Sequence, residues 1–233
     1  MLGFTLGIPS LLGLFLSLSL PLSKGKEVFE IVTIPPGVTL TQVTHILKEK
    51  KISRNQRLFS LLARLRGRAN SIKSGEYQLS NRMLPDEILD KLVRGEQIKY
   101  SITIPEGLTL VQTASLFEKM GLANKERFIQ LATDPEFIAS LGMDEETLEG
   151  YLFPDTYKFI RNIKEKNIIR MMVKRFNEIY NQEFRKRQQE LGFTRREIIT
   201  LASMIEKETA YSKEKPLISA VFHNRLKRVY RKD

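Results

Sequence analysis

Apolar positions give the first outline of the chain. Met1 to Ser23 carries no charged side chain, and Leu11, Leu12, Leu14, Phe15, Leu16, Leu18 and Leu20 supply most of its hydrophobicity. About 20 such residues are what a helix needs to cross a bilayer. The run therefore reads as a transmembrane anchor over 1–23, with a cleaved signal peptide as the alternative. Lys24 and Lys26 follow it and no charged side chain precedes it, so the positive-inside rule mildly opposes an exported C-terminal part. Orientation stays open on charge alone.

Further along, strands are predicted over 28–34 and 98–104. Ile34-Pro35-Pro36-Gly37-Val38-Thr39-Leu40-Thr41-Gln42 is similar to Ile104-Pro105-Glu106-Gly107-Leu108-Thr109-Leu110-Val111-Gln112, 70 residues later. In each copy a strand enters a Pro/Gly turn and then a helix. Thr39 with Gln42, and Thr109 with Gln112, form capping boxes. Ser53 with Gln56 is expected to cap a second helix through Leu58, Leu61, Leu62 and Leu65, and Asn124 to open its counterpart. A short strand over 75–80 closes the first unit as β-α-α-β, followed by a helix from Pro85 to Gly95. The apolar stripe Ile168, Ile169, Met172, Val173, Phe176, Ile179 and Tyr180 predicts one long helix stopping at Gly192. Thr194 with Glu197 caps the next, and Pro216 suits the first turn of the last. Strands in front and helices behind make an α+β chain.

Composition narrows the chemistry. With 233 residues, 42% hydrophobic and 28% charged, the chain can bury a core and is not disordered. The absence of cysteine excludes disulfides, thiolate zinc sites and cysteine nucleophiles. A formal net charge of +11 favours anionic partners. The basic residues are scattered along helices rather than interleaved with aromatics, so nucleic acid is not an expected partner. His45 and His223 are far apart, neither has metal-ligand spacing, and no nucleotide, phosphate-loop or Gly-x-Ser-x-Gly fingerprint occurs. No metal or cofactor is expected.

Carboxylate chemistry remains. Glu206 and Glu208 occupy opposite shoulders of an apolar helical stripe, with Lys207 pointing away. A partly desolvated carboxyl at such a margin can donate a proton near neutral pH, and periodicity does not choose between the two. Leu148-Glu149-Gly150-Tyr151-Leu152-Phe153-Pro154-Asp155-Thr156-Tyr157 reads as a loop rich in aromatics and acids, the composition of a carbohydrate cleft or of a packed loop.

On these residues the chain resembles the MltG/YceG family of endolytic murein transglycosylases. The likeness rests on the N-terminal apolar run, the two Ile-Pro-x-Gly turns, Glu149 to Tyr157, Leu201-Ala202-Ser203-Met204-Ile205-Glu206-Lys207-Glu208-Thr209 and Val221-Phe222-His223-Asn224-Arg225-Leu226. It implies a single-pass inner-membrane protein: an anchor (1–23), a LysM-like module (27–100) and a mostly helical, extracytoplasmic catalytic domain (101–233). It implies cleavage of the β-1,4 bond between N-acetylmuramic acid and N-acetylglucosamine within peptidoglycan glycan strands, leaving 1,6-anhydromuramyl ends. Cell-wall synthases are the partners it suggests. By resemblance Glu206 is catalytic, and Glu149, Tyr151, Asp155, Tyr157 and Asn224 bind substrate. The family's Gln-[Ser/Thr]-Asp-Pro-Thr segment does not follow Leu226, so C-terminal truncation is expected to leave a poor enzyme, or a membrane-tethered glycan binder without catalysis.

Overall fold

The computed structural model describes residues 26–230, apart from 54 and 210. Backbone contacts divide it into one unit ending at Tyr100, rejoined by Ile160–Asn162, and a second holding Ser101–Phe159 and the rest from Ile163.

In the first unit, β1 (Phe29–Ile34) leads through α1 (Leu40–Glu49) and α2 (Gln56–Leu65) to β2 (Gly75–Ser80) and α3 (Pro85–Arg94). β1 and β2 pair antiparallel, Phe29 opposite Ser80 and Ile34 opposite Gly75. Alternation along β1 turns Val32 and Ile34 inward while Phe29 and Ile31 face solvent. The inward residues join Leu47, Phe59, Tyr77 and Leu89 in one core. Thr39 and Gln42 form the expected capping box. The cap of α2 is Asn55 rather than Ser53: its side chain accepts the Leu58 N–H at 3.1 Å, and Ser53 is buried.

The second unit repeats that order. β3 (Tyr100–Thr103), α4 (Leu110–Lys119) and α5 (Lys125–Ala132) are followed by the short α6 (Pro135–Ser140) and β4 (Thr156–Phe159). β3 pairs with β4, so the second copy also closes its two helices with a strand. β4 lies partly in the segment expected to be loop. Its burial alternates, with Tyr157 and Phe159 inside, over only four residues.

α7 (Glu165–Ile179), α8 (Gln182–Leu191), α9 (Arg195–Glu208) and α10 (Lys215–Tyr230) complete the chain. The stripe on α7 is buried and joins Phe117, Phe128 and Phe159 in the second core. The single helix expected to reach Gly192 is two. Asn181 interrupts it, its side chain accepting the N–H groups of Glu183 and Phe184, because a fresh N-cap satisfies donors that a break would otherwise orphan.

The membrane expectations are corrected here. Among the described residues no helix is long and apolar enough to cross a membrane. The longest, α10, has 16 residues and includes Lys227 and Arg228, whereas a span needs about 20 apolar ones. The run over 1–23 lies outside the described residues. The transmembrane helix, the single-pass membrane partner and the inner-membrane location are therefore withdrawn.

Candidate active site

One face of α9 gathers the candidate chemistry. Thr194 and Glu197 start this helix with a capping box, and Thr209 ends it. The Thr209 hydroxyl donates to Glu214 at 2.7 Å and accepts the Tyr211 N–H at 3.0 Å. That turn places Lys215 in the first position of α10, where its Nζ reaches Glu206 Oε2 at 2.5 Å. The same ammonium lies 3.8 Å from Glu106 Oε2. The Glu206 and Lys215 side chains are half-buried, 29% and 27% exposed, whereas Glu106 is 69% exposed. The hydrogen bond to Glu206, above all, holds the Lys215 ammonium above the usual lysine range.

Glu106 belongs to the second Ile-Pro-x-Gly turn. Gly107 takes φ +76, and a Cβ there would stand 3.9 Å from Glu206 Cγ. The glycine is required by its left-handed backbone, and the turn so formed lies against the Glu206 side chain.

Two turns earlier on the same face, about 10.5 Å along the axis, Ile199 meets Gly150. That glycine has φ +82, and a Cβ on it would come within 2.7 Å of Ile199 Cγ2. Its neighbour Glu149 accepts the Leu110 N–H at 2.9 Å, a carboxylate at the N-terminal end of α4 where the helix dipole favours it. A hollow of about 210 Å³ opens here, lined by Glu149, Tyr151, Arg196, Ile199 and Thr200 among others.

Of the remaining expected site residues, Tyr151 borders that hollow, while Tyr157, Asp155 and Asn224 lie in other surroundings. Tyr151 is 3% exposed, its ring edge-on to Phe176 at 5.2 Å and the Arg195 guanidinium 5.5 Å from its centroid. Its buried hydroxyl lies beside the Glu145 carboxylate but makes no hydrogen bond of good geometry. The nearby Glu145 carboxylate is taken twice by Arg195. Burial first, then Glu145, push the Tyr151 phenol up to about 12. Tyr157 is 7% exposed and donates to the Phe153 carbonyl at 2.5 Å; burial pushes its phenol well above the usual range. Asp155 accepts the Thr156 N–H at 2.7 Å and Arg175 Nε at 2.6 Å, and its carbonyl accepts the Ile104 N–H at 3.0 Å. Asn224 is exposed, and at nine positions beyond Lys215 it lies on the opposite side of α10. His223 is partly buried, its ring 5.9 Å from that of Phe193.

The structure thus brings Glu206 and Glu149 to one helix face, buries Tyr151 and Tyr157, ties Asp155 into an ion pair and leaves Asn224 apart. Glu106 and Lys215 were missed. Glu106 carried a signal, because it replaces Pro36 where the two turns otherwise agree.

The pattern of the YceG-like family extends over residues 32–231. The chain belongs to the YceG-like family. It is 29% identical over 231 residues to the endolytic murein transglycosylase of Bacillus subtilis (strain 168), covering 91% of this chain and 63% of that protein. The endolytic murein transglycosylase of Streptococcus pneumoniae (strain ATCC BAA-255 / R6) is 29% identical over 238 residues, 90% of this chain and 42% of the relative. The chain thus spans about two-fifths to three-fifths of these curated relatives. The crystal structure of a YceG-like protein from Listeria monocytogenes matches with a TM-score of 0.51 at 29% identity, over 86% of this chain and 71% of that one.

Proposed function

We infer that the chain carries the catalytic part of an endolytic lytic transglycosylase acting on peptidoglycan glycan strands. Supporting this reading are membership of a family whose matched relatives bear that activity in their names and the half-buried carboxylate of Glu206, positioned against a tight turn. The bond cleaved is the β-1,4 link between N-acetylmuramic acid and N-acetylglucosamine. Glu206, when protonated, gives its proton to the glycosidic oxygen as the muramyl C1–O bond breaks. The same carboxylate then takes the proton of that sugar's C6 hydroxyl, whose oxygen closes onto C1 as a 1,6-anhydro ring. Glycosidases that use water or an enzyme nucleophile need a second carboxylate, whereas an internal hydroxyl lets one suffice. Such proton transfer contributes ~10²–10⁴-fold in rate.

The module over 27–100 would orient the strand. A shallow hollow of about 460 Å³ on it is lined by Thr41, Gln42, His45 and Gln56 among others, side chains suited to hydroxyl and amide groups. The deciding experiment is digestion of murein sacculi by the chain and by Glu206→Gln, with released muropeptides analysed for anhydro ends. Release by the parent and near-complete loss in the variant, at unchanged circular dichroism, is the expected result. Equal release by both would overturn the assignment. Binding to sacculi without release by either would leave a glycan-binding protein.

A further inference from the structure

We propose that Lys215 is a positioning residue for Glu206, passing its ammonium between the Glu206 and Glu106 carboxylates as Glu206 gains and loses its proton. This rests on the reading of Glu206 as the proton donor and adds two residues to it.

Position makes the case first. Lys215 opens α10, where a cation opposes the helix dipole, and a local rule broken in this way marks a functional or compensated site. The compensation is visible: Glu206 Oε2 at 2.5 Å and Glu106 Oε2 at 3.8 Å from the one ammonium. These are the carboxylates that face it from the neighbouring elements. Glu214, beside it in sequence, is taken up by the Thr209 hydroxyl. The two glutamate oxygens lie no farther apart than 2.5 and 3.8 Å laid end to end, so a small side-chain rotation carries the ammonium from one to the other.

The chemistry supplies the reason for two partners. The structure holds the ammonium on Glu206, the contact that its carboxylate form makes. Whenever Glu206 carries the proton it is to donate, it attracts the ammonium only weakly and Glu106 takes it up. Once the proton has gone to the glycosidic oxygen, with the C1–O electron pair leaving on that oxygen, Glu206 is an anion and the short contact forms. The ammonium thereby favours proton donation. When the C6 hydroxyl oxygen bonds to C1 and its proton returns to Glu206, the ammonium goes back to Glu106. The proton count closes on Glu206 alone, and Lys215 stays charged throughout, consistent with its strengthened hold on its own proton. Glu106 stands where the first turn of the repeat has Pro36, so the exchange belongs to the second copy only.

The test is the pH–rate profile of anhydro-end release by the parent chain and by Lys215→Met, Lys215→Arg and Glu106→Gln. Removing the cation in Lys215→Met moves the alkaline limb up, because a neighbouring positive charge favours the carboxylate form of the proton donor. Glu106→Gln commits the ammonium to Glu206 and moves the limb the other way, while Lys215→Arg restores the parent position. Limbs that do not move, or that move in the same direction for Lys215→Met and Glu106→Gln, overturn the exchange if Glu206→Gln is inactive. Full activity of Glu206→Gln instead overturns the reading of the site. Should the parent release nothing, the ammonium is followed directly by nitrogen-15 NMR. Its deprotonation midpoint falls in Glu206→Gln and, by less, in Glu106→Gln, and insensitivity to Glu106→Gln refutes the exchange.

Discussion

Gly150 and Ile199 approach so closely that a Cβ on the glycine would stand 2.7 Å from Ile199 Cγ2. The contact seats the Glu149–Gly150 turn on the same face of α9 that carries Glu206. Two costs therefore meet in Gly150→Ala: a left-handed backbone at φ +82 and an overpacked contact. Together they are expected to destabilise the chain by about 2–4 kcal/mol, read as a lower urea midpoint. Adding Ile199→Ala relieves the clash but not the backbone strain, so the double variant should recover less than the whole loss. Full recovery would show that the left-handed backbone costs nothing.

Tyr151 and Tyr157 are both buried, yet their hydroxyls differ. That of Tyr157 donates to the Phe153 carbonyl, so Tyr157→Phe should cost about 1 kcal/mol of stability. The Tyr151 hydroxyl is buried beside Glu145 without a hydrogen bond of good geometry, so its removal in Tyr151→Phe should cost less than removal of the Tyr157 hydroxyl. Thermal unfolding distinguishes the two. Glycan binding by the two variants tests the expected contact with substrate: a loss in either would support it for that hydroxyl, and unchanged binding would remove it.

These tyrosines also show where sequence reading stops. Aromatics beside acids, Gly and Pro have the same composition whether they stack on a sugar or fill a core, and only burial separates the two. Elements fixed by local chemistry were legible: the capping boxes at Thr39, Thr109 and Thr194 stand as expected, and Gly95 and Gly192 end their helices. The break at Asn181 was hidden because the apolar stripe continues into Tyr180, and β4 alternates over too few residues to stand out. Asn55 displaced Ser53 because both are good caps and the chain geometry chose the nearer. At the site, the pattern offered Glu206 and Glu208 alike on the margins of an apolar helical stripe, and only the family resemblance pointed to Glu206. Its pairing with Lys215 depends on the turn at Thr209, and the approach of Glu106 is a long-range contact that no local pattern encodes.

Glu149 is expected to act on α4 rather than on substrate alone. Glu149→Ala leaves the Leu110 N–H without its acceptor and removes an anion from the N-terminal end of the helix, a loss of about 0.5–1 kcal/mol. Glu149→Gln keeps an acceptor and loses only the charge, so its deficit should be smaller and should shrink as salt is added. Thermal unfolding at low and high ionic strength checks both. A glutamine deficit that ignores salt would mean that the carboxylate's charge does not contribute.

Asp155 gives a prediction whose sign follows from its bonds. The Thr156 N–H, then the Arg175 guanidinium, hold its carboxyl below the ordinary value of 3.8. A carboxylate held lower in the folded state than in the unfolded chain adds stability in full above the unfolded value, and that stability is lost as pH falls through the folded one. Asp155→Asn keeps an oxygen for the Thr156 N–H and loses the attraction to Arg175. The variant should therefore melt below the parent at pH 7, the gap narrowing once pH drops under 3.8 and closing at lower pH still. Because the Ile104 N–H is held by the main-chain carbonyl of residue 155, the turn that carries Glu106 should survive the substitution. Anhydro-end release at pH 7, measured well below the melting temperature, should then stay near the parent's. A gap equal at pH 3 and pH 7 would remove the electrostatic account, and a collapse of release with the fold intact would place Asp155 on the substrate.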